Sequence, residues 1–286
     1  MTRSSQRQSL LLWYRIRKSE AMAIYIHPTS IVSPRAELSE DIYIGPFCCI
    51  GDDVKIGANT RLLSHVVIEG KTEIGKHNQI YPFTSIGLSP QDLKYKGEQT
   101  GVRIGSNNIL RENMTIHRAS VSGDGWTEIG DNNFLMAYVH IAHDCKLGNN
   151  IVMANGATLG GHVTVEDFVV IGGLTPVHQF CRIGAYAMVG GGSSVALDIP
   201  PYVIAAGYRG QLYGLNLVGL KRRGFDKETI DLLKKAYKLI FQEHQLLKDA
   251  IRKARTELPH SEHIERLLSF IETSKRGICR KLGEEQ

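Results

Sequence analysis

The sequence predicts a mainly β chain: a parallel β-solenoid closed at its C-terminal end by a small α-helical domain. Three observations carry the prediction. An aliphatic residue recurs at every sixth position through most of the chain, glycine follows it in 12 of 26 such hexads, and the pattern ends at Pro200–Pro201, beyond which apolar residues return at helical spacing. A period of six is neither the 3.6 of a helix nor the alternation of a two-faced strand. It fits a coil of three short flat sides, each giving one aliphatic residue to a shared interior, with small or left-handed-tolerant residues at the tight corners.

Residues 1–21 stand outside that pattern. They hold Arg3, Arg7, Arg15, Arg17 and Lys18 against Glu20 alone, so most of the formal +5 charge of the 286-residue chain sits there. The expected status of this arm is an extension upstream of a functional start at Met22. A targeting or membrane-surface segment is the alternative that its basic, acid-poor composition allows. The remaining residues are nearly neutral, which excludes a global attraction to nucleic acid. No run approaches the ~18 apolar residues of a membrane-spanning helix, so no integral membrane segment is expected. The five cysteines, Cys48, Cys49, Cys145, Cys181 and Cys279, are odd in number and scattered, with no C-x-x-C spacing. A reduced, cytoplasmic protein is expected.

The solenoid is assigned to residues 22–205. Its hexad positions run from Ile26 to Ile86, resume in register at Ile104, Leu110 and Ile116, and run again from Ile129 to Val195. Three hexads per coil give about nine coils and, at the ~4.8 Å strand spacing, a prism roughly 40 Å long. The two interruptions, Gly87–Arg103 and Ser122–Glu128, are expected to project as loops, the usual carriers of function on a rigid scaffold. Residues 206–225 are read as a connecting segment. From Asp226, placed as an N-cap, Ile230, Leu233, Tyr237 and Ile240 follow helical spacing, and after Ser261 so do Ile264, Leu267, Leu268 and Ile271. Residues 226–286 are therefore expected to form a helical domain that covers the last open coil.

Four histidines, His140, His143, His162 and His178, fall in the last third of the prism. With eleven in the chain, some will simply decorate solenoid faces. His143, however, precedes Asp144, a carboxylate able to orient an imidazole as a general base requires. His162 follows His143 by 19 residues, about one coil, which predicts that the two are near neighbours. A three-histidine metal site is the rival use of such residues. The spacing of these four supplies no evident coordinating set, so no metal is expected.

The hexads resemble those of hexapeptide-repeat left-handed parallel β-helix proteins, and the left-handedness is implied by that resemblance, since crossovers are ordinarily right-handed. Residues 24–286 further resemble the UDP-N-acetylglucosamine acyltransferase family. The resemblance rests on I-H-P-T at Ile26–Thr29, H-V-V-I-E-G at His65–Gly70, Q-D-L-K-Y-K-G-E at Gln91–Glu98, T-I-H-R at Thr115–Arg118, H-I-A-H-D-C at His140–Cys145, G-H-V at Gly161–Val163, V-H-Q-F at Val177–Phe180, I-P-P-Y-V-I-A at Ile199–Ala205 and G-L-K-R-R-G-F at Gly219–Phe225. The combination is far more specific than the hexads, which many acetyltransferases share.

The resemblance implies transfer of an (R)-3-hydroxyacyl chain from acyl carrier protein to the 3-hydroxyl of UDP-N-acetylglucosamine, the first step of lipid A biosynthesis, by a homotrimer with active sites between prisms. His143 then matches the general base, Asp144 its orienting partner, and the Gly161 N–H the oxyanion donor. His117, His140, His162, His178 and Gln179 match residues of the acceptor and acyl groove. Gln91, Asp92 and Lys94, on the first loop, match sugar and donor contacts. Asn216, Arg222 and Arg223 match contacts to the nucleotide diphosphate, and Gly191 matches the position that sets acyl-chain length. No metal or diffusible cofactor is implied. Val218 departs from the family pattern, where a carboxylate is expected, and puts one nucleotide-side contact in doubt. Because the carrier protein is acidic, Lys275, Arg276, Arg280 and Lys281 are expected to form a basic donor surface.

Three other readings compete. The later UDP-3-O-acylglucosamine N-acyltransferase of the same pathway shares hexads and a catalytic histidine, but carries a domain of about 100 residues before its solenoid, whereas here the hexads begin at Ile26. A trimeric hexapeptide-repeat metalloenzyme would leave the helical C-terminus without a role. A non-catalytic solenoid would leave unexplained the His143–Asp144 pair and the arginines suited to a nucleotide.

Overall fold

A computed structural model describes residues 24–243 and 246–280. The expectations for residues 1–21 and for Lys281 lie outside these. The hexads build a left-handed parallel β-helix of three sheets. The first runs from Tyr25–Ile26 through Met188–Val189, the second from Ile31–Val32 through Pro176–Val177, and the third from Glu37–Leu38 through Arg182–Ile183. Each coil visits the three sheets in turn, so a residue lies against the one 18 positions later, as Tyr25 does against Tyr43 and Val152 against Val170.

Every hexad residue from Ile44 to Val195 is buried. Ile26 is 40% exposed and Val32 and Leu38 are only partly covered, because they belong to the first described coil, which among the described residues has a neighbouring coil on one side alone. Fully burying one such side chain contributes roughly 1.5–3 kcal/mol, and stacking repeats it coil after coil. A polar ladder runs beside the aliphatic one. Asn78 Oδ1 accepts from the Asn108 N–H at 2.9 Å, Asn108 Oδ1 from the Asn133 N–H at 2.8 Å, and Asn133 Oδ1 from the Ile151 N–H at 2.7 Å. These buried amides satisfy corner backbone groups that no strand pairs.

Both interruptions project between the second and third sheets; the first is shorter than expected and the second begins and ends earlier than expected. Strands extend over Ser85–Leu88, Gly101–Ile104 and Trp126–Ile129, so the irregular parts are residues 89–100 and 118–125. Gly101–Arg103 pairs with both flanking coils, and Trp126 lies under the guanidinium of Arg103, 3.6 Å from ring centroid to Cζ. Cross-strand pairing and this cation–π stack hold residues whose composition alone reads as loop.

The end of the prism is closed by more than helices. Val203–Ala206 continues the first sheet and pairs antiparallel with Gln211–Leu215, and a short helix α1 follows at Leu217–Arg222. The stretch read as a plain connection therefore carries a strand and a helix. Helix α2 spans Lys227–Phe241, with Asp226 accepting from the Thr229 N–H as foreseen; α3 spans Leu247–Glu257 and was not foreseen; α4 spans Glu262–Glu272, capped by Ser261. Residues 277–279 return to the prism, where the Asp198 N–H donates to Gly277 O and the Cys279 N–H to Asp198 O, both at 2.9 Å. Arg276 is pinned there too, donating twice to Ala196 O at 3.2 and 3.1 Å. Its guanidinium thereby helps to close the prism.

Candidate active site at one corner of the prism

His143 and Asp144 occupy the turn between the His140–Ile141 strand of the second sheet and the Lys146–Leu147 strand of the third. One coil later the same turn holds Gly161 and His162, and one coil further Gln179 and Phe180. The register therefore stacks His143 on Gly161 and Asp144 on His162. Asp144, His162 and Phe180 each take the left-handed corner conformation, with φ of 61°, 60° and 66°. The His162 ring stacks on Phe180, centroids 4.6 Å apart, and meets His143 edge-on at 5.3 Å.

His143 Nδ1 lies 2.8 Å from Asp144 Oδ2. A carboxylate only accepts, so Nδ1 carries the proton and Nε2 keeps its lone pair, as a general base requires. Asp144 is deeply held. Its Oδ2 also accepts from the Ser120 N–H at 3.0 Å and the Ser120 hydroxyl at 2.7 Å, and its own N–H donates to Thr127 Oγ1 at 2.9 Å. Asp144 Oδ1 has no partner and faces Gly123, whose missing side chain leaves room for it. Ser120, Ser122, Gly123 and Thr127 were not singled out in the sequence. The signal available was the second interruption itself, whose irregular residues 118–125 fall 19–26 positions before Asp144.

Around the pair stands a set of neutral imidazoles. Burial pushes the His117 pKa down to about 4, with His140 and His143 adding repulsion; burial likewise lowers His140, with His143 helping. His140 Nδ1 is 2.7 Å from Thr115 Oγ1, and the His117 ring meets His140 edge-on at 5.3 Å. His117 Nδ1 is buried with no hydrogen-bond partner among the described residues. Burial also lowers the His162 pKa, opposed by the Asp144 and Asp92 carboxylates. Asp92 lies on the first loop of the same chain. Arg118 anchors that loop, donating to Gly87 O and Ser89 Oγ at 3.0 Å and to Tyr95 Oη at 2.9 Å. Gln91 and Lys94 are exposed on it, with the Lys94 N–H on Asp92 Oδ1. His178 and Gln179 stand exposed one coil beyond His162.

The other expected residues lie elsewhere on the chain. Gly191 occupies the corner between the first and second sheets. Arg223 lies over Phe168, at the corner between the third and first sheets, 4.9 Å from Cζ to centroid, and Arg222 is exposed beside it. Asn216 commits both amide atoms inside the chain, capping α1 by accepting from the Gly219 N–H at 3.1 Å and donating to Tyr186 O at 3.0 Å. Val218 is 60% exposed. A groove of about 890 Å³ between the third sheet and α4, lined by Lys146, Glu166, Arg182, Glu265 and Phe270 among others, is not lined by His140, His143, His162 or His178.

Among the described residues, His143, Asp144 and His162 are the one group offering three metal-type ligand atoms within 4.8 Å of one another. Three donors from the chain already converge on Asp144 Oδ2, the arrangement of a supported base rather than of a ligand set.

A base of this kind on a hexapeptide prism narrows the comparison. A family model described as "Udp N-acetylglucosamine O-acyltransferase; Domain 2" matches residues 198–279, and one described as "Bacterial transferase hexapeptide (six repeats)" matches residues 127–161. The acyl-[acyl-carrier-protein]–UDP-N-acetylglucosamine O-acyltransferase of Thermodesulfovibrio yellowstonii is 64% identical over 255 residues, covering 89% of this chain and 99% of that one. The chain belongs to the UDP-N-acetylglucosamine acyltransferase family. The same-named protein of Syntrophobacter fumaroxidans is 50% identical over 256 residues, covering 89% of this chain and 99% of its own. Among solved structures, the UDP-N-acetylglucosamine O-acyltransferase of Moraxella catarrhalis is 45% identical, with a TM-score of 0.86, covering 89% of this chain and 99% of that one. Family membership thus spans the prism, the histidine corner and the C-terminal helices together.

Proposed function

We propose that this acyltransferase moves an (R)-3-hydroxyacyl chain from acyl carrier protein to the 3-hydroxyl of UDP-N-acetylglucosamine, the first step of lipid A biosynthesis, at the corner built on His143. The observation that carries the reading is the His143–Asp144 pair, with Nδ1 tied down at 2.8 Å and Nε2 left free beside the Gly161 backbone. His143 Nε2 takes the proton of the sugar hydroxyl as its oxygen attacks the thioester carbonyl. The oxyanion is met by the Gly161 N–H, the C–S bond breaks as the C–O bond is kept, and the proton returns to the departing thiolate. No covalent acyl-enzyme is required.

Gln91, Asp92 and Lys94 approach the acceptor and donor from the first loop, with His117, His140, His162, His178 and Gln179 lining the groove. Arg222 and Arg223 meet the diphosphate, and Asn216 contributes by holding α1, which carries them. In one chain, the histidines, Gly191 and Arg223 occupy three different corners of a triangular prism. A homotrimer, in which neighbouring copies bring such corners together, is the assembly that this separation favours. The exposed apolar residues Phe47, Phe83, Tyr138 and Leu174 along the corner between the first and second sheets are suited to such contact. No described helix is long and apolar enough to cross a membrane, and the five free cysteines fit work in the cytoplasm.

The decisive experiment assays purified protein with UDP-N-acetylglucosamine and 3-hydroxyacyl carrier protein. His143→Ala should lower the rate by about 10²–10⁴ with acceptor binding retained, and Asp144→Asn should be milder because the imidazole remains. Wild-type turnover in His143→Ala would overturn the assignment.

A further inference from the structure

The second loop closes a chain of hydrogen bonds whose direction can be worked out atom by atom. Asp144 Oδ2 is an acceptor, so the Ser120 hydroxyl uses its single proton there, at 2.7 Å. The Ser122 hydroxyl lies 2.6 Å from Ser120 Oγ, and the Ser122 N–H reaches the same oxygen at 3.2 Å. Ser120 Oγ has no proton left, so Ser122 must donate in that pair, and the two Ser122 donors fill both Ser120 lone pairs. Ser122 Oγ also lies 3.2 Å from His162 Nε2. Its own proton is already committed, so at this contact it can only accept. Asp144 Oδ2, a second acceptor 3.6 Å from the same nitrogen, asks for the same arrangement.

We infer that Ser120 and Ser122 form a directional hydroxyl relay joining the carboxylate behind the base to His162, which holds His162 as the Nε2–H tautomer and leaves Nδ1 as a hydrogen-bond acceptor. Any group that His162 reads must then be a donor, such as a sugar hydroxyl or an amide N–H, and not a carbonyl or phosphate oxygen. The stack on Phe180 and the edge-on contact with His143 fix the plane of the ring, and the relay fixes which of its nitrogens is bare. Ser120 and Ser122 act through Asp144 and His162, so they are positioning residues. This functional consequence rests on the reading of the corner as the acyl-transfer site, whereas the tautomer does not.

The test uses the full chain labelled with ¹⁵N-histidine, with His162→Gln assigning the signals, in spectra recorded at neutral pH without substrate. A protonated Nε2 and a bare Nδ1 on His162 are expected in the wild type, and Ser122→Ala should give a tautomer mixture. In kinetics, Ser122→Ala should raise KM for the sugar nucleotide about three- to tenfold, the worth of one hydrogen bond, with a smaller change in kcat, and Ser122→Thr, which keeps the hydroxyl, should restore it. A wild-type His162 protonated at Nδ1, or a Ser122→Ala protein unchanged in both tautomer and KM, would overturn the relay. Full activity in His143→Ala would instead sink the site reading and leave the tautomer result standing.

Discussion

Gly161 lies one coil from His143, directly against its ring: a β-carbon on Gly161 would fall 2.6 Å from Cε1 and 2.8 Å from Nε2 of His143. The glycine is required here by the base itself, whatever its N–H does for an oxyanion. An alanine methyl would push the imidazole off the Asp144 carboxylate and move Nε2 by a sizeable fraction of an ångström. Displacements of about 1 Å cost on the order of 10² in rate. Gly161→Ala should therefore lose about 10²-fold or more in kcat while its thermal midpoint changes little, as read by paired kinetics and thermal melts. An alanine variant turning over at the wild-type rate would show that the ring has slack.

That relationship also shows what the sequence could and could not disclose. The hexads disclosed the prism because every coil repeats the same burial. A separation of nineteen positions from His143 to His162 pointed to neighbours, correctly, but the register is 18. His162 therefore stacks on Asp144, and the coil-mate of His143 is Gly161. Ser120 and Ser122 were invisible because serine in a loop is ordinary; only the fold carries that loop back over Asp144. The strand at Gln211–Leu215 and helix α1 were missed because the hexad period had already ended and both elements are too short to show a period of their own. Resemblance gave Asn216 a nucleotide contact, and its further place as the cap of α1 appears only once Tyr186 and Gly219 are beside it.

Acid should destabilise the fold through His117. Its pKa falls from the ordinary 6.5 to about 4 in the folded chain, so the unfolded chain binds the proton first as pH drops. The folded state is unpenalised above the unfolded value. It loses stability as pH falls from about 6.5 to about 4, by about 3 kcal/mol if the whole shift is realised. His117→Gln removes the titration. Denaturant melts from pH 7 to pH 4.5 should fall less steeply in this variant than in the wild type, and parallel slopes would rule the effect out.

The asparagine ladder should be uneven in strength. Asn133 uses both ends of its amide, accepting from Ile151 N–H and donating to Gly148 O at 3.0 Å, and Asn78 donates to two carbonyls besides accepting from Asn108 N–H. Asn108 accepts from Asn133 N–H, but its buried Nδ2 has no partner. Each lost partner strands a buried backbone group at a cost of about 1–3 kcal/mol, while removing an unsatisfied amide returns part of that cost. Asn133→Ala and Asn78→Ala should each destabilise by more than Asn108→Ala, measured as the shift in denaturation midpoint. An inverted order would mean that the corners, and not the amides, set the register.

Chain length is the property most open to a single substitution. A saturated acyl chain lies in a groove, and a groove measures length only where something ends it; by family resemblance that point falls at Gly191. The corner there is tight but not closed: a β-carbon on Gly191 would meet Gly173 O at 3.3 Å and Gly173 N at 3.5 Å, with nothing nearer. A side chain can therefore be added for a shift of a few tenths of an ångström, and its remainder must point away from the prism into the space a chain would use. With glycine in place the path stays open, and the enzyme should prefer a long donor, about fourteen carbons by that resemblance, over shorter ones. One methylene in an apolar pocket is worth about 1–3 kcal/mol, so the preference should be marked without being absolute. Gly191→Met should move the optimum to shorter donors at little cost in thermal stability, read as kcat/KM across a series of 3-hydroxyacyl carrier proteins. A wild type that already favours ten carbons, or a length profile unmoved by the methionine, would place the wall elsewhere, with Arg209 in the turn between Ala206 and Gln211 the next position to replace.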